Sequence, residues 1–442
     1  MLASTSRIAA EAPHGDRAAA LGRRASLRRL GALLGAALTG TLAFGFVPVA
    51  SAMESSHAEI ERGRYLVYAG DCAACHTDDG GKPFAGGRPV PTPFGTIYAT
   101  NITPDERTGI GKWTDEEFWN AMHNGIRADG SHLYPAFPYP WYTKLTREDV
   151  LAIHAYLRTL DPVRQENKAP EFPFPLSWRP GLAVWNWLFF KSGSYVIDSG
   201  KSAQWNRGAY LVEGLGHCGA CHSPKNWLGA VKKSEQFQGG MGEGWFATSL
   251  TKNPREGLGS WTAQEIAEYL KTGATERARA FGPMAEVVQH STMHLSDADV
   301  AAIAAYLKDH PGDDGSKPQP GTPANDRDAF ERGRLIYVDQ CAGCHMENGE
   351  GLPGVFPPLK GDSSLQAHNP DSLARLVLQG AGSVKTPARP EGFAMPGFAG
   401  KLSNSEVADV LSYLRANFGN QAGAVSAKQV ADARGDVSKQ AD

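Results

Sequence analysis

Cys72-Ala73-Ala74-Cys75-His76 decides how this chain is read, because it recurs as Cys218-Gly219-Ala220-Cys221-His222 and as Cys341-Ala342-Gly343-Cys344-His345. The three copies use all six cysteines of the 442 residues. Two thiols separated by a short turn are spaced to add to the two vinyl groups of a haem, and the next histidine is placed to ligate its iron. The pattern predicts three covalently bound haem c groups. The attachment residues are Cys72, Cys75, Cys218, Cys221, Cys341 and Cys344, and His76, His222 and His345 are the first iron ligands. A single C-x-x-C-H also reads as a redox dithiol, a zinc half-site or a disulfide pair. Three copies with no cysteine left over weigh against all three alternatives.

The repetition extends beyond the motifs. Glu61-Arg62-Gly63-Arg64-Tyr65-Leu66-Val67, Asn206-Arg207-Gly208-Ala209-Tyr210-Leu211-Val212 and Glu331-Arg332-Gly333-Arg334-Leu335-Ile336-Tyr337 all precede a motif by one short interval, as the same helix of a repeated domain would. Downstream, Thr114 and Thr262 read as N-caps of matching middle helices that end at Gly125 and Gly273, and residues 371–380 hold that place in the third unit. Each unit closes on a helix rich in Ala, Leu and Tyr, over residues 147–158, 296–308 and 403–415. The predicted fold is all-α: three tandem class I cytochrome c domains at residues 53–168, 200–312 and 326–420. The chain is long enough for two to four such domains, each with its own core.

Residues 1–52 read as a signal peptide. Arg23, Arg24, Arg28 and Arg29 precede a largely apolar run over residues 30–50, and Ala50-Ser51-Ala52 is a small-residue cleavage site. An uncleaved membrane anchor is the competing reading. This segment holds six arginines and two acids, so with a net charge of -3 overall the remainder is acidic, about -7, which argues against a nucleic-acid partner. Residues 313–325 form a Pro-rich linker containing Pro318-Gln319-Pro320-Gly321-Thr322-Pro323. Residues 169–199 form an aromatic linker that includes Phe172, Phe174, Trp178, Trp185, Trp187 and Phe190. It either packs over the first two domains or faces a partner or the membrane interface. Residues 421–442 read as a polar, disordered tail.

With Tyr134-Pro135-Ala136-Phe137-Pro138-Tyr139, Gly282-Pro283-Met284-Ala285-Glu286-Val287 and Ala394-Met395-Pro396, the tandem units resemble the trihaem cytochrome c subunit of membrane-bound bacterial dehydrogenases that oxidise alcohols, gluconate, sorbitol, fructose or glucose. The resemblance implies a non-catalytic electron-transfer subunit on the periplasmic side of the cytoplasmic membrane, in peripheral contact with it. It implies a flavoprotein or quinoprotein catalytic subunit as electron donor and ubiquinone as acceptor.

A methionine sixth ligand raises a haem's potential relative to a second histidine. Met395, in a Gly-rich loop before the last helix, is the candidate of the third unit. Met284 is preferred to Met293 in the second, because Met293 has little loop before the closing helix. Core packing is the alternative role for each. The first unit carries Phe137 where the resemblance implies methionine. Counting back from the glycine that ends each middle helix matches Met122 with Leu270 and Val377, an apolar position, so Met122 (or His123) is the candidate there; otherwise that haem is open. An open first haem is the one feature favouring a peroxidase or oxidase over a carrier. The ligating histidines are expected to lean on carbonyls of Pro-rich turns such as Phe356-Pro357-Pro358-Leu359, while His57, His294 and His368 read as surface residues.

Overall fold

The computed structural model describes residues 49–310, 312–313, 326–382, 384–387 and 393–441. Most of the expected leader and the Pro318–Pro323 spacer lie outside the described residues. Three units follow one plan. An opening helix (Val49–Ala69, Ala203–Tyr210, Arg327–Gln340) runs into a short motif helix (Cys72–His76, Gly219–His222, Ala342–His345). A middle helix (Asp115–Asn124, Ala263–Thr272, Asp371–Gln379) and a closing helix (Arg147–Leu157, Asp297–Asp309, Asn404–Ala416) complete each unit. The capping signals act as expected: Thr114 and Thr262 accept from Glu117 N and Glu265 N in capping boxes, and Gly125 and Gly273 end their helices at φ 67° and 69°.

The third middle helix has Pro370 at its N-cap and is one residue shorter than the other two. Counted back from the closing glycine the repeats stay in register: Phe118, Ile266 and Leu373 fall at one position and are all buried, and Val377, at the position of Met122, packs partly buried on the third core with Leu378 beside it 1% exposed. The interval from the opening-helix glycine to the motif also differs among the units. The second unit absorbs an extra residue in a π turn at Leu211–Leu215, and in the third the helix runs directly into Cys341.

The glycine of each opening helix is where that helix crosses the closing one. A Cβ on Gly63, Gly208 or Gly333 would stand 1.9 Å from Ala152 O, 2.0 Å from Ala302 O and 2.2 Å from Asp409 O respectively. Only a residue without a side chain lets the two backbones approach this closely. The arginine before each glycine ties down the same crossing, Arg62 to Asp149, Arg207 to Asp299 and Arg332 to Asp409.

The expectation of one core per unit does not hold for the first two. Leu66, Val67, Ile153, Val212, Ile303 and Leu307 belong to one continuous buried cluster spanning both. A reciprocal exchange seals it: Tyr65 Oη donates to Asp299 Oδ2 at 2.6 Å, and Tyr210 Oη donates to Asp149 Oδ2 at 2.6 Å. Equivalent residues contact each other in both directions, which is the signature of an approximate twofold relation. The third unit has Leu335 at the tyrosine position, 59% exposed, and keeps a separate core around Leu373, Val407 and Leu411.

The fold is mostly helical, as expected, and the first and second units each add a short antiparallel hairpin, Pro89–Thr92 with Gly95–Tyr98 and Gly240–Gly242 with Trp245–Ala247. The expectation of a disordered tail needs correction. The tail is a helix, Ala427–Ala441, and Val425, Val430 and Ala433 join the third core, so apolar residues at helical spacing outweigh its polar average. His294 and His368 lie at the surface as expected, and each also reaches another unit, His294 stacking on Tyr68 at 4.3 Å and His368 Nδ1 meeting Glu256 Oε2 at 3.0 Å.

The aromatic linker divides its roles. Trp185 Nε1 donates to Leu228 O at 3.0 Å, Phe190 sits edge-on to Tyr139 at 4.9 Å and Phe172 edge-on to Tyr134 at 4.8 Å. Phe174, Trp187 and, from the second unit, Trp227 are instead each more than 80% exposed. Among the described residues no helix is long and apolar enough to cross a membrane.

Candidate cofactor-binding sites

Each motif histidine is held the same way. His76 Nδ1 bonds Thr100 O at 2.6 Å, His222 Nδ1 bonds Thr248 O at 2.6 Å and His345 Nδ1 bonds Pro357 O at 3.0 Å. A carbonyl can only accept, so Nδ1 carries the proton and Nε2 is left with its lone pair for a metal. Burial pulls all three imidazoles below their ordinary pKa, which keeps them in the neutral form that ligates. The Pro-rich turn supplies the carbonyl only in the third unit. In the first two it comes from the residues just beyond the hairpins, which sequence reasoning missed. Gly86, Gly239 and Gly351 complete the arrangement, each donating its amide to the motif histidine's carbonyl at 2.8, 3.0 and 3.0 Å.

The six cysteines are free thiols, with no disulfide among them. Burial pushes Cys72, Cys75 and Cys218 up to about 12, Cys341 up to about 11, and Cys221 upward as well. A redox dithiol or a zinc thiolate needs the opposite shift. Free thiols in pairs, each pair beside a histidine with Nε2 free, fit thioether attachment and axial ligation. The residues present therefore fit a c-type haem, whose iron supplies one-electron exchange when bound.

The motifs differ in surroundings. A Cβ on Gly219 would stand 3.1 Å from Trp141 Nε1 of the first unit, whereas around Gly343 there is nothing within 4 Å. Cys344 is exposed, and so are Leu335 and Val338 on the helix leading into that motif. Arg88 clamps the first motif to the second unit, donating through Nη1 to Ala74 O at 2.5 Å and through Nη2 to Glu286 Oε2 at 2.7 Å. Asp71 beside it has a buried Oδ1 without a hydrogen-bond partner.

Among the candidate sixth ligands, Met284 lies in the first turn of helix Pro283–His290 rather than in a loop. Met284 and Met293 are both partly buried against Ala280, Val288 and Val384, the last from the third unit. Met395 is paired through its backbone with Ala381 and packs on the third core. Met122 is 5% exposed, in the shared core. His123 stacks on Trp119 at 4.2 Å, with its buried Nδ1 lacking a hydrogen-bond partner. Phe137 packs on the same core, edge-on to Tyr142 at 5.4 Å.

The cytochrome c family profile matches residues 60–161, 206–311 and 330–417, and the chain belongs to that family. Within it, the chain is similar to the cytochrome c subunit of the quinone alcohol dehydrogenase of Gluconobacter oxydans, 40% identical over 89% of this chain and 86% of that one. It is similar to the gluconate 2-dehydrogenase cytochrome c subunit of Pantoea cypripedii, 39% identical over 92% and 96%. It is also 45% identical, over 82% of its length, to a nicotinate dehydrogenase subunit of Pseudomonas putida, of which it spans only 30%.

Proposed function

We propose that this chain is a trihaem cytochrome c of three tandem class I domains, the electron-transfer subunit of a membrane-bound dehydrogenase. It receives electrons from a periplasm-facing catalytic subunit, a flavoprotein or quinoprotein, and passes them to ubiquinone. The observation that carries this reading is the threefold repetition of one arrangement, a pair of free thiols beside a histidine whose Nδ1 is bonded to a backbone carbonyl. The names of the relatives, subunits of alcohol and gluconate dehydrogenases, support the partner. The exposed aromatic side of the linker supports peripheral membrane contact, and the Arg-rich leader supports export to the periplasmic side.

Met284 and Met395 are the sixth ligands of the second and third haems. Met122 serves the first, with His123 the alternative. Burial in the core supports Met122, whereas the His123 ring is held on Trp119. The equivalent Lys271 reaches the start of its closing helix, donating to Leu295 O at 2.6 Å. Met122→Leu should abolish the first haem's thioether charge-transfer band and His123→Ala should leave it; the reverse result reassigns the ligand. Phe137 in the ligand loop favours a second reading, a peroxidase or oxidase working at an open first haem. One experiment tests the reading as a whole. In the complex purified with its catalytic subunit, the donor substrate should reduce all three haems and a ubiquinone analogue should reoxidise them. Haems that ignore the quinone but bind carbon monoxide readily would favour the enzyme.

A further inference from the structure

The first and second motifs are joined by a contact that the third lacks. Tyr142, on the short helix Tyr139–Tyr142 that follows Phe137, is 5% exposed. Its Oη donates to Gly70 O at 3.2 Å, two residues ahead of Cys72. Its ring lies edge-on to His217, centroids 5.7 Å apart, and His217 is bonded directly to Cys218. His217 is itself fixed, at a backbone φ of 37° with Nδ1 on Leu215 O at 2.9 Å. The same tyrosine ring touches Phe137 on the ligand-loop side of the first unit. One side chain thus spans the distance from the peptide entering one attachment site to the peptide entering the other. A buried hydroxyl needs a partner, and a leucine or phenylalanine would fill this core without one. In the third unit the position equally far ahead of the closing-helix N-cap is Ala399, which has no ring to offer.

We propose that Tyr142 is the positioning residue that couples the first and second haem sites, providing a route that runs by a hydrogen bond from the Gly70 carbonyl to its hydroxyl and by edge-on ring contact from its ring to His217, the neighbour of Cys218. The step it serves is a one-electron exchange: one iron goes from ferrous to ferric while the other goes from ferric to ferrous. No bond forms or breaks, and Tyr142 keeps its proton, held on Gly70 O. The proposal rests on the carrier reading above, and haem content keeps the two apart: loss of that reading shows as missing haems, loss of this one as an unchanged rate in a fully loaded protein.

The test uses the full-length mature protein with its haems attached. Tyr142→Phe keeps the ring and removes the hydrogen bond, and Tyr142→Leu removes both. Pulse-radiolytic reduction followed by intramolecular equilibration reads the rate, with haem content and the individual reduction potentials measured alongside. Exchange between the first and second haems should slow several-fold in Tyr142→Phe and further in Tyr142→Leu, at unchanged potentials, while equilibration with the third haem keeps its rate. A purely structural role would move stability or potentials and leave the rate at fixed potential alone. If Tyr142→Leu loads haem poorly, the isosteric Tyr142→Phe decides, and a wild-type rate in that fully loaded variant overturns the proposal.

Discussion

Replacing Gly333 with alanine sets two effects of opposite sign against each other. In an exposed helix the change gains about 1 kcal/mol of propensity. Here the new Cβ would stand 2.2 Å from Asp409 O and 2.8 Å from Tyr413 Cβ, where ordinary contact begins at 3.4 Å. The first of these atoms is backbone, so no side chain can swing aside, and the two helices must part by more than an ångström. Overpacking of this kind costs about 1 to 3 kcal/mol, and a backbone clash belongs near the top of that range. The net loss is then about 2 kcal/mol, which for a domain of this size lowers the unfolding midpoint by about 8 °C or more. Gly435→Ala is the control in the same unit, since it lies in helix Ala427–Ala441 with nothing within 4 Å of its Cβ, and propensity alone should stabilise it slightly. Calorimetry of the haem-loaded chain reads both. A Gly333→Ala protein that unfolds at or above the parent midpoint, beside a stabilised Gly435→Ala, would refute the helix-crossing argument.

Burial, and then the nearby Glu286 charge, push the Asp71 carboxyl well above its ordinary value. A raised carboxyl costs stability above its unfolded pKa, about 4, and costs nothing below it. Asp71→Asn, which suits the left-handed backbone there, should therefore raise the midpoint at pH 7, with the gain vanishing below about pH 4; a loss at pH 7 contradicts this. Asp299 has the opposite sign. Burial raises it, but hydrogen bonds from Arg207 and Tyr65 outweigh burial and leave it below the ordinary value. Its contribution is present above about pH 4 and lost as pH falls through the depressed value, so the joint between the first two units should loosen in acid. Tyr65→Phe should weaken that joint by roughly 1.5 to 3 kcal/mol at pH 7, and unchanged cooperativity of the two units in calorimetry would count against it. In the linker, Trp187→Ser and Phe174→Ser should leave unfolding and haem spectra alone while releasing the protein from membranes or its dehydrogenase. Trp185→Ser should instead lower stability, and equal effects at all three sites would contradict the two-sided linker.

The repeat is legible because the cytochrome plan writes itself in local signals: C-x-x-C-H, a threonine cap with glutamate three residues on, and a glycine that must stop a helix in the left-handed region. The closing helices and the motif histidines follow from such signals alone. What stays hidden depends on which unit touches which. Nothing in Tyr65 or Tyr210 announces that each will donate to the other unit's aspartate, so the shared core of the first two units reads as two. The carbonyls of Thr100 and Thr248 escape notice because any residue can present a carbonyl, and the short hairpins that aim them are too brief to stand out. The register of the middle helices is legible from the glycines that end them, and only the start of the third shifts by one residue, because Pro370 stands where threonine caps the others. The tail deceives by average composition, since Val430 and Ala433, three residues apart on its helix, and Val425 just ahead of it are few but all buried in the third core.

Quantifying haem per chain, with the thiols titrated in parallel, tests the central claim most directly. Mature protein expressed with the cytochrome maturation machinery should carry three covalent haems and no titratable cysteine, and Cys341→Ser should lose one haem. Two haems or fewer in the parent protein, or a motif whose thiols still react, would contradict it.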